Sequence, residues 1–329
     1  MRVAIVGCGR MGFRRAKHLG GAKLVFCADP DLSSASRVAS LHEGCDIVED
    51  WVPRLNRAHI DAVIVATPQN LHAGIMRAAI TAGVHVLVEK PAALHADELA
   101  GLSQLAASQN VRVRVGFTLR HHPAFRQARS LVESGSLGPL MFLRARYGHG
   151  GRIGYECEWR AKPEISGGGE LIDQGVHLID LARWFLGEFV EIEGFSHTYF
   201  WNMAVEDNGF LLLKTADKQV AFMHASCTEW KNTFSWELYG RAGKLQVDGL
   251  GGSYGVEKLA WYKNRPELGP PETTLWEYPM ADDSWDFEMA EFLEDVRLQR
   301  ESSPGLADAI AALNVVTKIY ANSRHDHRA

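Results

Sequence analysis

The chain has 329 residues, a hydrophobic fraction of 46%, a charged fraction of 23% and a formal net charge of -5. That length is a soft prior for two domains, and the composition is that of an ordinary soluble globular protein able to bury a sizeable core. The acidic balance argues against nucleic acid or an anionic membrane surface as the main partner, and the apolar runs fall far short of the roughly 18 residues of a membrane span.

The opening stretch "MRVAIVGCGRMG" shows no secretory signal, and the five cysteines (Cys8, Cys27, Cys45, Cys157 and Cys227) form no C-x-x-C pair. Unpaired thiols fit a reducing, cytoplasmic compartment and offer no zinc ligand set. Over residues 1–120 short β-branched runs alternate with helical stretches. Strands are expected at 2–7, 23–29, 61–67, 85–90 and 111–117, and helices at 11–20, 32–42, 71–82 and 96–109. Strands alternating with helices of this length predict a doubly wound parallel sheet, a first domain of α/β class. After residue 121 the pattern changes. A helix (123–134) leads to the strand "LMFLRARYG", then a polar, Gly-rich loop (148–169) and a helix (170–186). From 189 to about 263 strand-like runs follow one another, which predicts an α+β second domain over 121–329 with a large, mostly antiparallel sheet. "NRPELGPPETT" (264–274) reads as a loop, 283–300 and 305–322 as helices, and "SRHDHRA" (323–329) as a polar tail. The last helix could fold back on the first domain.

"GCGRMG" (7–12) is a G-x-G-x-x-G between a strand and a helix. Gly7 allows the tight turn, Gly9 lets a pyrophosphate approach the backbone, and Gly12 lets helix and strand pack closely. Arg10 and Met11 complete the loop as candidate cofactor contacts. Asp29 ends the second strand about 20 residues on, where a carboxylate accepts from a ribose diol and repels a 2′-phosphate, so NAD is expected over NADP. In a doubly wound sheet ligands sit at the carboxyl ends of the strands, which adds Thr67, Asn70, His72, Glu89 and Lys90 to the cofactor site. Pro91 restricts Lys90 to extended conformations, and a lysine there can donate to a reacting oxygen.

"GGGELIDQGVH" (167–177) puts a carboxylate, Asp173, four residues before an imidazole, His177, behind three glycines. On a helix the two lie one turn apart on one face, with Asp180 on the same side and Leu171, Val176, Leu178, Ile179, Leu181, Ala182 and Phe185 on the other. The glycines imply a close approach by backbone or ligand. Read from these residues alone, the pair is either a plain polar helix face or half of an active site in which His177 takes a proton from an alcohol.

Taken in order, "GCGRMG", "ATPQNLH", "EKP" and "GGGELIDQGVHLIDLARWFLG" resemble the glucose–fructose oxidoreductase / inositol dehydrogenase / MocA (Gfo/Idh/MocA) family over nearly the whole chain. The resemblance implies an N-terminal Rossmann domain, a C-terminal sheet through which homodimers or homotetramers form, and NAD(P)-dependent oxidation or reduction of a sugar or cyclitol carbon. It makes Lys90, Asp173 and His177 the catalytic set. It also puts substrate contacts in "HGGRIGYECEWRAKPEIS" (149–166), where Arg152, Tyr155, Trp159, Arg160 and Lys162 could hold a sugar ring and an anionic group, with Arg120 from "GFTLRHH" as a further candidate. No metal is implied. Three alternatives stand beside the leading reading: an NAD-dependent glycosidase that oxidises, eliminates and hydrolyses without net redox change, an NADP-dependent keto-sugar reductase, and a dinucleotide-binding regulator without turnover.

Overall fold

The computed structural model describes residues 1–326 other than 266 and 268, so the final three residues of the polar tail lie outside it. The chain forms two compact units that interleave in sequence. The first holds Met1–Phe117, Glu164–Gly167 and Trp285–Asn314; the second holds Thr118–Pro163, Gly168–Ser284 and the chain from Val315.

In the first unit the elements run β1 (Arg2–Val6), α1 (Arg10–Lys17), β2 (Lys23–Ala28), α2 (Leu32–Ala39), β3 (Asp46–Ile47), β4 (Ala62–Val65), α3 (His72–Thr81), β5 (His85–Glu89), α4 (Ala96–Ser108) and β6 (Val113–Gly116). All strand pairs are parallel, in the order β3-β2-β1-β4-β5-β6. This is the Rossmann order. Val3, Ile5, Ile64 and Leu87 are completely buried, as a parallel sheet covered on both faces requires. The helix Ser284–Leu298 contributes Met289 and Phe292 to the same core. The short strand β3 was not expected. Both of its residues are exposed, so it carries no hydrophobic period to read.

In the second unit α5 (Pro123–Glu133) precedes β7 (Leu140–Gly148). The chain then passes through Glu164–Gly167 of the first unit, which holds all but the first residue of the single turn α6 (Pro163–Ser166), and a π-helical turn (Leu171–Gly175) and α7 (Val176–Leu186) follow in the second unit. The strands β8 (Phe189–His197), β9 (Asn208–Thr215), β10 (Val220–Ser226), β11 (Thr233–Gly240), β12 (Gly243–Asp248), β13 (Glu257–Lys263) and β14 (Glu272–Tyr278) complete the sheet. The eight strands lie in the order β14-β13-β12-β11-β7-β10-β9-β8; β7 and β10 run parallel and every other neighbouring pair antiparallel. Burial alternates strictly along β11 and β12 and over most of β7 and β9. Leu211, Leu213, Met223, Trp236, Leu238 and Leu245 face inward, whereas Leu212 and Phe222 are exposed. Strand β14 begins inside the expected loop 264–274: Pro270 and Pro271 end just before it, and an edge strand tolerates prolines at its start. The helix that follows residue 305 runs from Leu306 to Asp326.

Candidate active site

The glycine loop sits directly behind β1. Gly7 has φ +93°, and a Cβ there would lie 2.5 Å from the backbone of Ala66 and Thr67. A Cβ at Gly12 would lie 1.9 Å from the Gly7 carbonyl oxygen. Both positions therefore admit glycine alone. Gly9 differs. It is exposed at the N-terminus of α1, no side chain caps the helix there, and nothing stands within 4 Å of where its Cβ would be. Open backbone at the positive end of a helix fits a pyrophosphate. Arg10 is exposed beside it and Met11 half-buried. Asp29 directly follows β2. Its Oδ2 accepts from the Cys8 N–H at 2.6 Å and its Oδ1 from the Asp31 N–H at 2.8 Å. The carboxylate is thus aimed by the loop, and each oxygen retains a lone pair for a ribose hydroxyl.

At the ends of β4 and β5, Thr67 and Lys90 are half-buried and Asn70 is exposed. His72 and Glu89, also expected at the cofactor, lie in the interior instead. His72 sits with Nδ1 2.9 Å from the Pro91 carbonyl oxygen and Nε2 2.9 Å from that of Thr67, so the ring ties the two strand-end loops together; burial lowers its pKa. Glu89 accepts from Arg15 Nε at 2.6 Å, and Arg15 Nη1 donates to Glu288 at 2.5 Å. That buried trio braces α1 against the sheet. Gln69, which the sequence did not single out, is buried and donates from Nε2 to the Ser166 carbonyl at 2.5 Å.

Two glycines of the run at 167–169, Gly168 and Gly169, are explained within the second unit. A Cβ at Gly168 would lie 1.9 Å from the Tyr320 hydroxyl oxygen, and one at Gly169 would lie 1.8 Å from the Glu206 carbonyl oxygen. What approaches closely is protein. The same holds for Gly175, whose Cβ would meet Leu171 at 3.1 Å and Ala225 at 3.6 Å, so this glycine lets the turn settle on β10. The first turn of the expected α-helix is π-helical, a feature that occurs mostly as a single-turn bulge and often at functional sites. It carries Asp173; His177 lies in the first turn of α7.

Asp173 is partly exposed, with a side-chain exposure of 21%, and accepts from Arg160 Nε at 3.3 Å. The Arg160 guanidinium also stacks over Trp159, 4.3 Å from the ring centroid. His177 is 8% exposed, and its ring lies 6.1 Å from that of Tyr147. Burial, and then the neighbouring Tyr254, Asp173 and Glu170, push the Tyr147 hydroxyl well up. Of the other expected substrate residues, Arg152 is exposed and pairs with Glu158 at 2.6 Å. Tyr155 is buried and donates to Glu170 Oε1 at 2.7 Å, with His149 Nε2 3.4 Å from the same oxygen. Arg120 is placed away from solvent. It forks onto Asp180 at 2.6 and 2.8 Å, both side chains buried, so these two form an internal ion pair and Asp180 leaves the polar helix face it was expected on. Arg160, Asp173, His177, Tyr147 and Trp159 are what the second unit gathers, a carboxylate and an imidazole suited to moving a proton at an alcohol.

Comparison with known proteins matches this architecture. Residues 1–117 match the family model described as an oxidoreductase family with an NAD-binding Rossmann fold, and residues 125–246 match the GFO/IDH/MocA C-terminal domain. Among curated proteins, inositol 2-dehydrogenase 4 of Saccharopolyspora erythraea is 32% identical over 205 residues, 60% of this chain and 57% of that protein's length. A dTDP-3,4-didehydro-2,6-dideoxy-alpha-D-glucose 3-reductase of Saccharopolyspora spinosa is 30% identical over 252 residues, 75% of this chain and 74% of that protein. Among solved structures, a levoglucosan dehydrogenase in complex with NADH and levoglucosan superposes with a TM-score of 0.86 at 22% identity, covering 98% of this chain and 97% of that one. At that identity the likeness speaks for the fold. Among the described residues no group of His, Cys, Asp or Glu could hold a metal ion, and no helix is long and apolar enough to cross a membrane.

Proposed function

Because the chain belongs to the Gfo/Idh/MocA oxidoreductase family, we propose that it is an NAD-dependent oxidoreductase acting on a hydroxyl or keto carbon of a sugar, sugar derivative or cyclitol. The observation that carries this reading is the Asp173–His177 pair, in which a partly exposed carboxylate held by Arg160 precedes an imidazole by one helical step. When bound, the nicotinamide supplies a hydride acceptor or donor. His177 serves as the base that takes the hydroxyl proton, Asp173 orients that hydroxyl, and the Lys90 ammonium steadies the reacting oxygen as negative charge grows on it. Arg152, Trp159 and Arg160 form the substrate-facing part of the loop at 149–166, whereas Tyr155 supports that loop from inside through Glu170.

The test is a screen of free sugars, sugar acids, nucleotide sugars, aminoglycosides and inositols with oxidised NAD and NADP, together with keto-sugars and the reduced cofactors. Absorbance of the reduced nicotinamide is the readout. The reductive arm is included because a keto-sugar 3-reductase is among the relatives. At least one compound should turn over, faster with NAD. Tight NADH binding without turnover of any of them would sink the enzyme reading and leave a dinucleotide-binding regulator. Sugar released without net NADH would point to the glycosidase reading.

Cofactor choice has its own check. Asn at position 29 keeps one acceptor oxygen for the glycine loop and removes the charge that repels a 2′-phosphate. Asp29→Asn should weaken NADH binding about 10-fold and bring the Kd of NADPH closer to it, a shift of about 1.4 kcal/mol readable by nicotinamide fluorescence. An unchanged ratio would show that the preference is set elsewhere.

The outer face of the eight-stranded sheet supports a homo-oligomer. Phe195, Leu212 and Phe222, on the neighbouring strands β8, β9 and β10, are each at least half exposed, and the strand register puts them on one side. Contiguous apolar surface of this kind marks interfaces. A homodimer or homotetramer in solution, in a reducing cytoplasm that suits five free cysteines, is the expected state.

A further inference from the structure

The first N–H groups of a helix have no acceptor within it, and a helix that begins inside a protein must find them one. At the start of the π turn a single residue supplies all three acceptors. The Gly169 N–H donates to Glu206 Oε2 at 3.0 Å, the Leu171 N–H to Glu206 Oε1 at 3.0 Å, and the Glu170 N–H to the Glu206 carbonyl oxygen at 3.1 Å. The Tyr320 hydroxyl donates to Oε1 at 2.7 Å and closes the set. Glu206 precedes β9, 35 positions from Leu171, and is 8% exposed. It acts as an N-cap brought from the distant segment that leads into β9. Its charge faces the positive end of the helix.

The glycines belong to the same device. Any side chain at 169 would strike the Glu206 backbone, and any at 168 the Tyr320 hydroxyl. The loop can therefore close down on Glu206 only as glycine. Asp173 lies two residues beyond Leu171 in the same turn, and its N–H donates to the Gly169 carbonyl at 3.0 Å. The height and rotation of Asp173, and of His177 after it, follow from where Gly169 and Leu171 are pinned.

We propose that Glu206 is a positioning residue for the reaction: its carboxylate and carbonyl fix the start of the π turn and so set where Asp173 and His177 stand. This rests on the oxidoreductase reading above. The mechanism of loss is plain. In Glu206→Gln an amide N–H₂ replaces one oxygen and faces the N–H of Gly169 or of Leu171, so donor meets donor. A displacement of about 1 Å in a catalytic group can cost about 100-fold in rate.

The experiment compares wild type, Glu206→Gln and Tyr320→Phe as full chains at pH 8, above the carboxyl's value of about 7, to which burial raises it. Two readouts are taken: hydrogen exchange of the peptide spanning 168–176, and kcat and KM for whichever sugar or cyclitol wild type turns over. Glu206→Gln should speed exchange of that peptide about 10-fold or more, leave the glycine-loop peptide 2–17 and the Kd of NADH unchanged, and lower kcat about 10-fold or more with a smaller change in KM. Tyr320→Phe keeps both amide contacts and should stay within about threefold of wild type in kcat. Unchanged exchange at 168–176, or faster exchange with normal kcat, overturns the proposal. If Glu206→Gln does not fold, Tyr320→Phe and Glu206→Asp decide by the same peptide: normal exchange and kcat in the aspartate variant, whose shorter arm cannot reach both N–H groups, overturns it too. Hydrogen exchange needs no substrate. A wild type that turns over nothing while Glu206→Gln still loses protection counts against the enzyme reading and leaves the anchor standing.

Discussion

His177→Ala should lower kcat by about 100-fold or more, since proton transfer by a positioned side chain typically contributes 10²–10⁴. The Kd of NADH should stay within about threefold, because the proposed dinucleotide site, the glycine loop with Asp29, belongs to the Rossmann unit and His177 to the other. Loss of packing is a competing explanation, since His177 is 8% exposed and sits beside the Tyr147 ring. His177→Gln separates the two. It keeps most of the volume and the polarity but cannot exchange a proton near neutrality, so it should fail as badly as alanine while melting close to wild type. The limb of the kcat/KM profile that reports the base should vanish in both variants. A kcat within about threefold of wild type in either variant would remove His177 from the chemistry.

That prediction rests on residues the sequence displays openly, and the reason is physical. A buried parallel strand must be apolar along its whole length, so "RVAIVG" and "DAVIVAT" announce themselves. A phosphate loop needs glycine where backbone meets backbone, so Gly7 and Gly12 do too. What stays hidden is whatever depends on a partner far along the chain. Glu89 sits at a strand end as a ligand would, yet Arg15, 74 positions away, turns it inward. Arg120 and Asp180 are two polar residues 60 positions apart until the fold pairs them. Either one alone reads as surface or site, because burial of a charge is set by its counter-ion.

The π turn was hidden for a different reason. Residues four apart fall on neighbouring faces in both α- and π-helices, so the apolar stripe from Leu171 to Phe185 fits either. The choice is made by tertiary contact, Gly175 against β10 and Gly169 against Glu206. The three glycines were legible as a close approach; that the approaching group is Glu206 and Tyr320 required the fold.

The second large effect is expected at the glycine loop, where two single-methyl changes should both weaken NADH but differ in their effect on stability. A Cβ at Gly12 would sit 1.9 Å from the Gly7 carbonyl oxygen, and that oxygen cannot retreat because Gly7 is itself pressed on Ala66 and Thr67. Gly12→Ala must push α1 off β1, which disturbs a core containing Ile5, Leu24 and Phe292. It should destabilise the fold by about 3 kcal/mol, the upper range for overpacking, and weaken NADH at least 100-fold as well. At Gly9 the backbone has φ -62° and ψ -160°, at the margin of the extended region open to alanine, and nothing lies within 4 Å of the new methyl. Gly9→Ala should therefore melt close to the wild-type temperature, the small backbone cost being offset by the restriction alanine places on the unfolded chain. Yet it should also bind NADH about 100-fold more weakly, because the methyl occupies the space through which a pyrophosphate reaches the helix N-terminus. Thermal melts and fluorescence titration of the two variants side by side decide it. Gly9→Ala binding NADH as tightly as wild type would mean that the dinucleotide does not cross this loop, and the assignment of the first unit's site would fall with it.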